Sequence, residues 1–162
     1  MKQIEGGICA VRGVSAYGIK PGKMGGIAVI RAEGPAAGVF TRNKVVAAPV
    51  TLSRERIETE HRLSAVIANS GNANAFTGDD GFLDAMEMAS MVAENLGLDP
   101  DNVAVASTGV IGRRLDVSFI KEHLPEVLEG LGSSPECSRA AAKAIMTTDR
   151  ALKNLLWNLT AG

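Results

Sequence analysis

The sequence has few of the residues by which several functional classes can be recognised. It contains four Phe, one Tyr and one Trp, and its 17 basic residues nearly balance 18 acidic ones. Such a chain offers neither a basic face for phosphates nor a stacking platform for bases, so we expect no nucleic-acid partner. No apolar run approaches the roughly 20 residues of a membrane span, and the N-terminus has no hydrophobic signal region. We therefore expect a cytoplasmic protein without membrane contact.

Cysteine and histidine are also scarce, with two residues of each. Cys9 and Cys137 are expected to be reduced thiols, because nothing in the sequence indicates export to an oxidising compartment. His61 and His123 have no cysteine or histidine neighbour at the short spacings typical of zinc ligands. We interpret both histidines as surface or helix residues and not as metal ligands.

The chain is rich instead in glycine and in short apolar runs. Its 162 residues, 46% of them apolar, suffice for one domain with a single core. The first fifty residues are punctuated by Gly and Pro and predict β structure, including runs at 7–11, 26–30 and 37–41. Further strands are predicted at 63–68 and from residue 103 onward. The pattern predicts an α/β fold with a β-rich N-terminal part and a mixed sheet flanked by helices.

Residues that favour helix N-termini predict where the helices begin. Ser53 is a candidate cap of a short helix, and Asp79 or Asp80 could cap a longer one. Ser118 could cap a third helix, and Ser134, followed by Pro and Glu, is a well-formed start for a fourth.

Three clusters of small polar residues follow apolar segments, at Asn69–Asn74, Ser107–Gly109 and Thr147–Asp149. Each has a structural explanation, because turns require such residues. A strand that ends in hydroxyls and a glycine can also hold a hydroxyl rigidly while a substrate oxygen approaches the glycine amide, which is a plausible oxyanion hole. No Gly-x-Ser-x-Gly elbow or P-loop accompanies these clusters, so we set aside serine-hydrolase and phosphate-binding interpretations.

Arg113 and Arg114 could hold a carboxylate, although a solvated basic edge is the simpler interpretation.

Taken together, the motifs resemble those of one enzyme family. In order and spacing they are similar to the bifunctional ornithine acetyltransferase (glutamate N-acetyltransferase) family of arginine biosynthesis, and the matching segments are 35–43, 47–50, 69–74, 107–112 and 144–149. The resemblance implies a precursor that cleaves itself before a threonine, whose freed amine and hydroxyl act as base and nucleophile. It implies ping-pong transfer of acetyl from N-acetylornithine to glutamate, with neither a metal nor an organic cofactor. It also implies an α2β2 tetramer in which this part pairs with the β chain of the same precursor.

The resemblance also assigns roles to residues. Thr108 and Gly109 correspond to the family's oxyanion pair, the threonine through its hydroxyl and the glycine through its backbone N–H. Thr147 and Thr148 belong to a substrate-contacting segment, and we favour Thr147 as the direct ligand. The cluster Asn69–Asn74 is expected to shape the pocket wall without a catalytic step.

The resemblance extends over about residues 5–153, and we divide the chain into a family-like part at 1–153 and a divergent tail at 154–162. The tail lacks the Lys-Gly-Ser-Gly-Met-like and Asn-Met-Ala-Thr-like segments of the family, and Thr160 does not fit the cleavage-site threonine. We therefore expect the nucleophile to be missing from this chain, which alone should be inactive. A self-processing aminopeptidase or amidohydrolase and a non-catalytic binding fragment remain alternatives.

Overall fold

The computed structural model describes residues 2–22, 25–153 and 156–158. The strands are β1 (Lys2–Ile4), β2 (Ser15–Ile19), β3 (Ile27–Pro35), β4 (Arg62–Asn72), β5 (Val103–Val110) and β6 (Leu156–Asn158). The helices are α1 (Ala48–Glu60), α2 (Gly78–Leu96), α3 (Val117–Glu129) and α4 (Pro135–Ala144). Short 3-10 helices lie at Gly7–Ala10 and Pro100–Asn102.

The central sheet is mixed and has the strand order β2-β3-β4-β5. The pairs β2–β3 and β3–β4 are antiparallel, whereas β4 and β5 are parallel. A parallel pair requires a long crossover, which α2 supplies here. β1 and β6 form a separate antiparallel pair. The α/β fold with a mixed sheet flanked by helices is confirmed, and its consequence for function is that β4 and β5 end at the same edge.

The two faces of the sheet are covered differently. On one face the main core packs against α1, α2 and α3, and it contains Ile67, Met88, Val103 and Ile120 among its fully or almost fully buried side chains. On the other face α4 packs against β2 and β3 through a small cluster of alanines. Ala106, Thr108 and Val110 of β5 are exposed. The second face is therefore open over the end of β5.

Ser53 does not cap α1 as the sequence suggested, because the helix begins five residues earlier with Pro49 in its first turn. Its buried hydroxyl donates to the carbonyl of Val105 at 2.8 Å and accepts the Val105 N–H at 2.9 Å. One turn later, the buried Arg56 guanidinium donates to the carbonyl of Val103. The serine and arginine thus satisfy the outer edge of β5, which would otherwise present unpaired backbone groups.

Two strand predictions were also wrong. Residues 7–10 form a 3-10 helix, and 37–41 lie in no regular element. Both segments contain glycine, and neither pairs with a neighbouring strand, so their apolar content alone did not determine a strand. The predictions at 26–30, 63–68 and from 103 are confirmed by β3, β4 and β5.

The caps were only partly predicted. Ser134 caps α4 by accepting the Cys137 N–H at 3.2 Å, as expected. α3 is capped by Asp116, which accepts the Phe119 N–H at 3.1 Å, and not by Ser118. Neither Asp79 nor Asp80 caps α2, because its N-cap residue is Thr77; the two carboxylates lie in the first turn, where they favour the positive end of the helix dipole.

Of the proposed tail, only β6 is described, and Thr160 lies outside the described residues. The division at residue 153 stays a prediction. Among the described helices, none has the length and apolarity needed to traverse a bilayer.

Candidate active site at the ends of β4 and β5

The parallel pairing of β4 and β5 brings two of the three polar clusters side by side. Asn69 is opposite Ser107, Ser70 is opposite Thr108, and Gly71 is opposite Gly109. The pairing then becomes irregular at Asn72, which is opposite both Thr108 and Val110. The two clusters therefore form one shared edge.

Gly109 has a backbone conformation that only glycine adopts without strain. Its φ is +138°, and a Cβ built on it would lie 2.3 Å from the carbonyl carbon of Gly71 and 2.5 Å from the nitrogen of Asn72. These contacts are with backbone, which cannot rotate away as a side chain can. Gly109 is thus held against the Gly71–Asn72 peptide, and its position depends on that of β4.

The alternation of side chains along β5 separates the two hydroxyls of its polar cluster. Ser107 lies on the same side of the strand as Val103 and Val105, which belong to the main core. Its hydroxyl is buried and has no hydrogen-bond partner among the described residues. Thr108 points to the open face, is exposed, and its hydroxyl is equally unpartnered in the described part of the chain. Thr108 is therefore the hydroxyl that a ligand on the open face can reach.

Ser70 connects this edge to the third cluster. Its buried hydroxyl donates to the carbonyl of Ala144 at 2.7 Å and accepts the N–H of Gly26 at 2.9 Å. Ala144 is the last residue of α4, and Thr147 and Thr148 follow it in an exposed bend. The segment that carries the two threonines thus starts beside the cross-strand neighbour of Thr108. Two clusters therefore form this edge, and the third follows the helix end that Ser70 binds; among the described residues, neither Thr147 nor Thr148 makes a hydrogen bond to β5.

Two charged groups beside the site, Arg114 and Lys153, are paired within the chain. Arg114 donates to both carboxylate oxygens of the buried Asp84, at 3.1 and 3.2 Å, and lies 3.4 Å from Asp80. These contacts, with Asp84 first, raise the pKa of the Arg114 guanidinium. Arg114 is exposed, in agreement with the simpler interpretation of a solvated basic residue, and its guanidinium also anchors the loop after β5 to α2. On the opposite side of the site, the Lys153 ammonium donates to Asp149 at 2.8 Å and lowers the pKa of that carboxyl.

Two hollows border the clusters. One of about 100 Å³ lies between the end of β4, the loop after β5 and the start of α3, and it is lined in part by Asn69. The other, of about 340 Å³, lies on the open face beside α4. Its lining is mainly apolar, with Lys153 at one side: Ile30, Ala68, Ala141 and Ile145 contribute to it. The second hollow has the position and character to accept the aliphatic part of a small substrate.

The cysteines and histidines lie apart from this edge. Both cysteines are free thiols, as predicted, and burial raises the pKa of Cys9. His61 follows the last turn of α1, and His123 lies in α3 against the ring of Phe119, so both are surface or helix residues as expected. Within 2–22, 25–153 and 156–158, no group of three or more His, Cys, Asp or Glu residues is placed to hold a metal ion.

An α/β fold with a parallel strand pair that ends in a hydroxyl and a constrained glycine defines this chain as a protein with a candidate oxyanion site. Residues 11–162 match the model of the ArgJ family. The chain belongs to that family. A glutamate N-acetyltransferase of Methanosarcina mazei is 95% identical over the whole chain, which covers 41% of that relative. The bifunctional arginine-biosynthesis protein ArgJ of Archaeoglobus fulgidus is 49% identical over 146 residues, covering 90% of this chain and 38% of the relative.

Solved structures support the same relationship. The bifunctional protein ArgJ of Bacillus halodurans superposes with a TM-score of 0.84 at 34% identity, covering 93% of this chain and 82% of the matched chain. Ornithine acetyltransferase of Mycobacterium tuberculosis, in complex with ornithine, gives a TM-score of 0.83 at 37% identity, with 93% and 84% covered. The chain spans about two fifths of the length of the curated relatives it matches.

Sequence reasoning missed two residues that organise the site, Ser70 and Asn72. Both were seen only as part of a polar cluster. The sequence signal for these two residues was the density of Asn and Ser directly after a buried strand. That signal did not show which backbone groups the side chains would bind, because those groups belong to residues more than 40 positions away in sequence.

Proposed function

We propose that the full-length protein containing this chain transfers an acetyl group from N-acetylornithine to glutamate, and that this chain supplies the oxyanion donors Thr108 and Gly109. One observation carries the assignment: an exposed, unpartnered threonine hydroxyl lies next to a glycine pressed against the neighbouring strand, on the face where α4 ends. Membership of the ArgJ family supports the reaction, and the names of its relatives support the substrates.

In the proposed mechanism, a threonine in the remainder of the full-length protein attacks the acetyl carbonyl. Negative charge then develops on the carbonyl oxygen, where the Thr108 hydroxyl and the Gly109 N–H would stabilise it. The bond from carbon to the ornithine nitrogen breaks as that amine takes a proton, which leaves an acetyl-threonine. The amine of glutamate then attacks this ester. The bond from the carbonyl carbon to the threonine oxygen breaks, and that oxygen takes up the proton that the glutamate amine loses, which gives N-acetylglutamate and the free threonine. Thr147, or alternatively Thr148, would contact the substrate at the end of α4.

We also propose that the full-length precursor cleaves itself and that its two parts assemble as an α2β2 tetramer. The comparisons support a cleavage indirectly. Each curated relative is more than twice as long as this chain, whereas the matched chains of the solved structures are only slightly longer than it. Cleavage of a precursor into two chains would give this difference in length.

The test uses the M. mazei relative in which the part aligned with residues 1–153 is replaced by residues 1–153 of this chain, and we call this protein the chimera. We expect the chimera to transfer acetyl from N-acetylornithine to glutamate and the isolated 162-residue chain not to do so. Thr108→Ala in the chimera should lower kcat about a hundredfold or more. An active chimera whose turnover is unchanged by Thr108→Ala would remove the assigned role. A second chimera carrying residues 1–162 tests the division at 153, since activity equal to that of the first would argue against a divergent tail.

The same assay separates the alternatives. An amidohydrolase or aminopeptidase would release the acyl group to water at the same rate with or without glutamate. A non-catalytic binding fragment would bind N-acetylglutamate in a calorimeter, while the chimera built from it would show no turnover. Acetylglutamate formation that depends on both substrates excludes both.

A further inference from the structure

We propose that Asn72 is the positioning residue for the oxyanion donors, acting through the loop that follows β5. This inference rests on the proposed function, because it concerns how Thr108 and Gly109 are held for acetyl transfer. The segment 110–114, which we call the return loop, leaves β5 directly after the two donors. Its conformation fixes the direction in which β5 ends.

The side chain of Asn72 binds the return loop with both of its amide hydrogens. Its Nδ2 donates to the carbonyl of Arg113 at 2.9 Å and to the carbonyl of Arg114 at 3.0 Å. Its Oδ1 accepts the N–H of Asn74 at 2.7 Å, and that bond fixes which end of the amide faces the loop. The whole amide is therefore engaged, and it is oriented by its own strand segment.

Backbone hydrogen bonds join the same two segments. The N–H of Ala73 donates to the carbonyl of Val110 at 2.9 Å, and the N–H of Gly112 donates to the carbonyl of Ala75 at 2.8 Å. These bonds align the return loop with 73–75, but they leave the carbonyls of Arg113 and Arg114 to Asn72. The far end of the loop is fixed to α2 by the bidentate pair of Arg114 with Asp84. The Asn72 side chain thus joins the end of β4 to the part of the return loop that follows Gly112 and ends at Arg114.

The connection from Asn72 to the donors is short. The backbone nitrogen of Asn72 is one of the atoms that leaves no room for a Cβ on Gly109, and Asn72 is also opposite Thr108 in the strand pairing. In addition, Asn72 is held from the other side, because Nδ2 of the buried Asn69 donates to its carbonyl at 2.9 Å. A change in the Asn72 amide therefore acts on the residue that touches Gly109 and on the loop that Thr108 and Gly109 enter.

An oxyanion donor must lie where charge develops, and a displacement of about 1 Å can cost a hundredfold in rate. We expect Asn72→Ala in the chimera to lower kcat about tenfold to a hundredfold, while KM changes by less than about twofold because ground-state binding is unaffected. Asn72→Asp keeps the shape and the acceptor for Asn74 but loses both donated bonds, so it should lower kcat similarly. The matched control is Asn95→Asp, because the exposed Asn95 on α2 also donates to a backbone carbonyl, that of Met91 at 2.8 Å.

A merely structural role would also lower activity, so the decisive experiment combines Asn72→Ala with Thr108→Ala. If Asn72 acts through the donors, its substitution should reduce kcat at least about threefold less in the Thr108→Ala background than in the unsubstituted chimera. Circular dichroism and thermal melting establish that each variant folds, and Asn72→Asp carries the test if Asn72→Ala does not. An effect of equal size in both backgrounds, or a rise in KM at constant kcat, would overturn the inference. Failure of the proposed function is distinguishable: it would appear as an inactive chimera or as an unaffected Thr108→Ala.

Discussion

Replacement of Gly109 by alanine should destabilise this chain far more than replacement of Gly112 by alanine. An alanine at φ +138° would have a strained backbone, which costs about 1–3 kcal/mol. Its Cβ would also lie 2.3 Å from the carbonyl carbon of Gly71, and such overpacking costs a further amount of about 1–3 kcal/mol. We therefore expect a loss of about 2–6 kcal/mol, a large part of the total of about 5–15 kcal/mol that typically stabilises a domain.

Gly112 provides the matched control. It also has a positive φ, of +75°, but no atom lies within 4 Å of a Cβ built there. Gly112→Ala should therefore lose only the conformational contribution, about 1–2 kcal/mol. The difference between the two variants isolates the contact between β5 and the Gly71–Asn72 peptide.

The assay is urea denaturation of this chain and its two variants, followed by circular dichroism. Equal free energies of unfolding for Gly109→Ala and Gly112→Ala would refute the reasoning, because the contact with Gly71 would then contribute nothing. A clearly larger loss for Gly109→Ala than for Gly112→Ala would support the packing of Gly109 on β4. In the chimera, Gly109→Ala should also lower kcat strongly, since the displaced N–H no longer faces the developing charge.

Two further substitutions probe the frame of the site. Ser70→Ala in the chimera removes the bond to the Ala144 carbonyl and thereby loosens the segment that carries Thr147. This substitution should raise KM for N-acetylornithine more than it lowers kcat. An unchanged KM in steady-state kinetics would count against that role of Ser70. Ser53→Ala leaves both backbone groups of Val105 without a partner and should lower the free energy of unfolding by about 1–3 kcal/mol in a urea titration. The exposed Ser118→Ala, as its control, should stay within about 0.5 kcal/mol of the unsubstituted chain, and equal losses would refute the edge role of Ser53.

The sequence predicted the strands that are apolar and continuous better than the ends of the helices. β4 and β5 were visible because a strand buried on both faces is a continuous apolar run. Ser53 was misassigned because Ser is favourable at an N-cap, whereas its buried position in α1 is explained only by the unpaired edge of β5. The edge exists only in the folded sheet, so no local pattern could reveal it.

The candidate site was predictable in its clusters and not in its connections. The motif resemblance singled out Thr108, Gly109 and the segment that holds Thr147, and the pairing of β4 with β5 brings the first two beside Ser70. The bonds from Ser70 to Ala144 and from Asn72 to Arg113 could not be predicted, because each joins residues separated by more than 40 positions. Their geometry depends on the parallel register, which hydrophobic patterning alone does not define.

That register also decides which of two adjacent hydroxyls can act on a substrate. Ser107 and Thr108 are chemically similar, but successive side chains of a strand point to opposite faces. With Val103 and Val105 in the core, Ser107 must face inward and Thr108 must face the open side where α4 ends. A shift of one residue would exchange the two, bury the threonine and place the serine at the surface. The apolar residues at the start of β5 therefore determine which hydroxyl at its end is available as the proposed oxyanion donor.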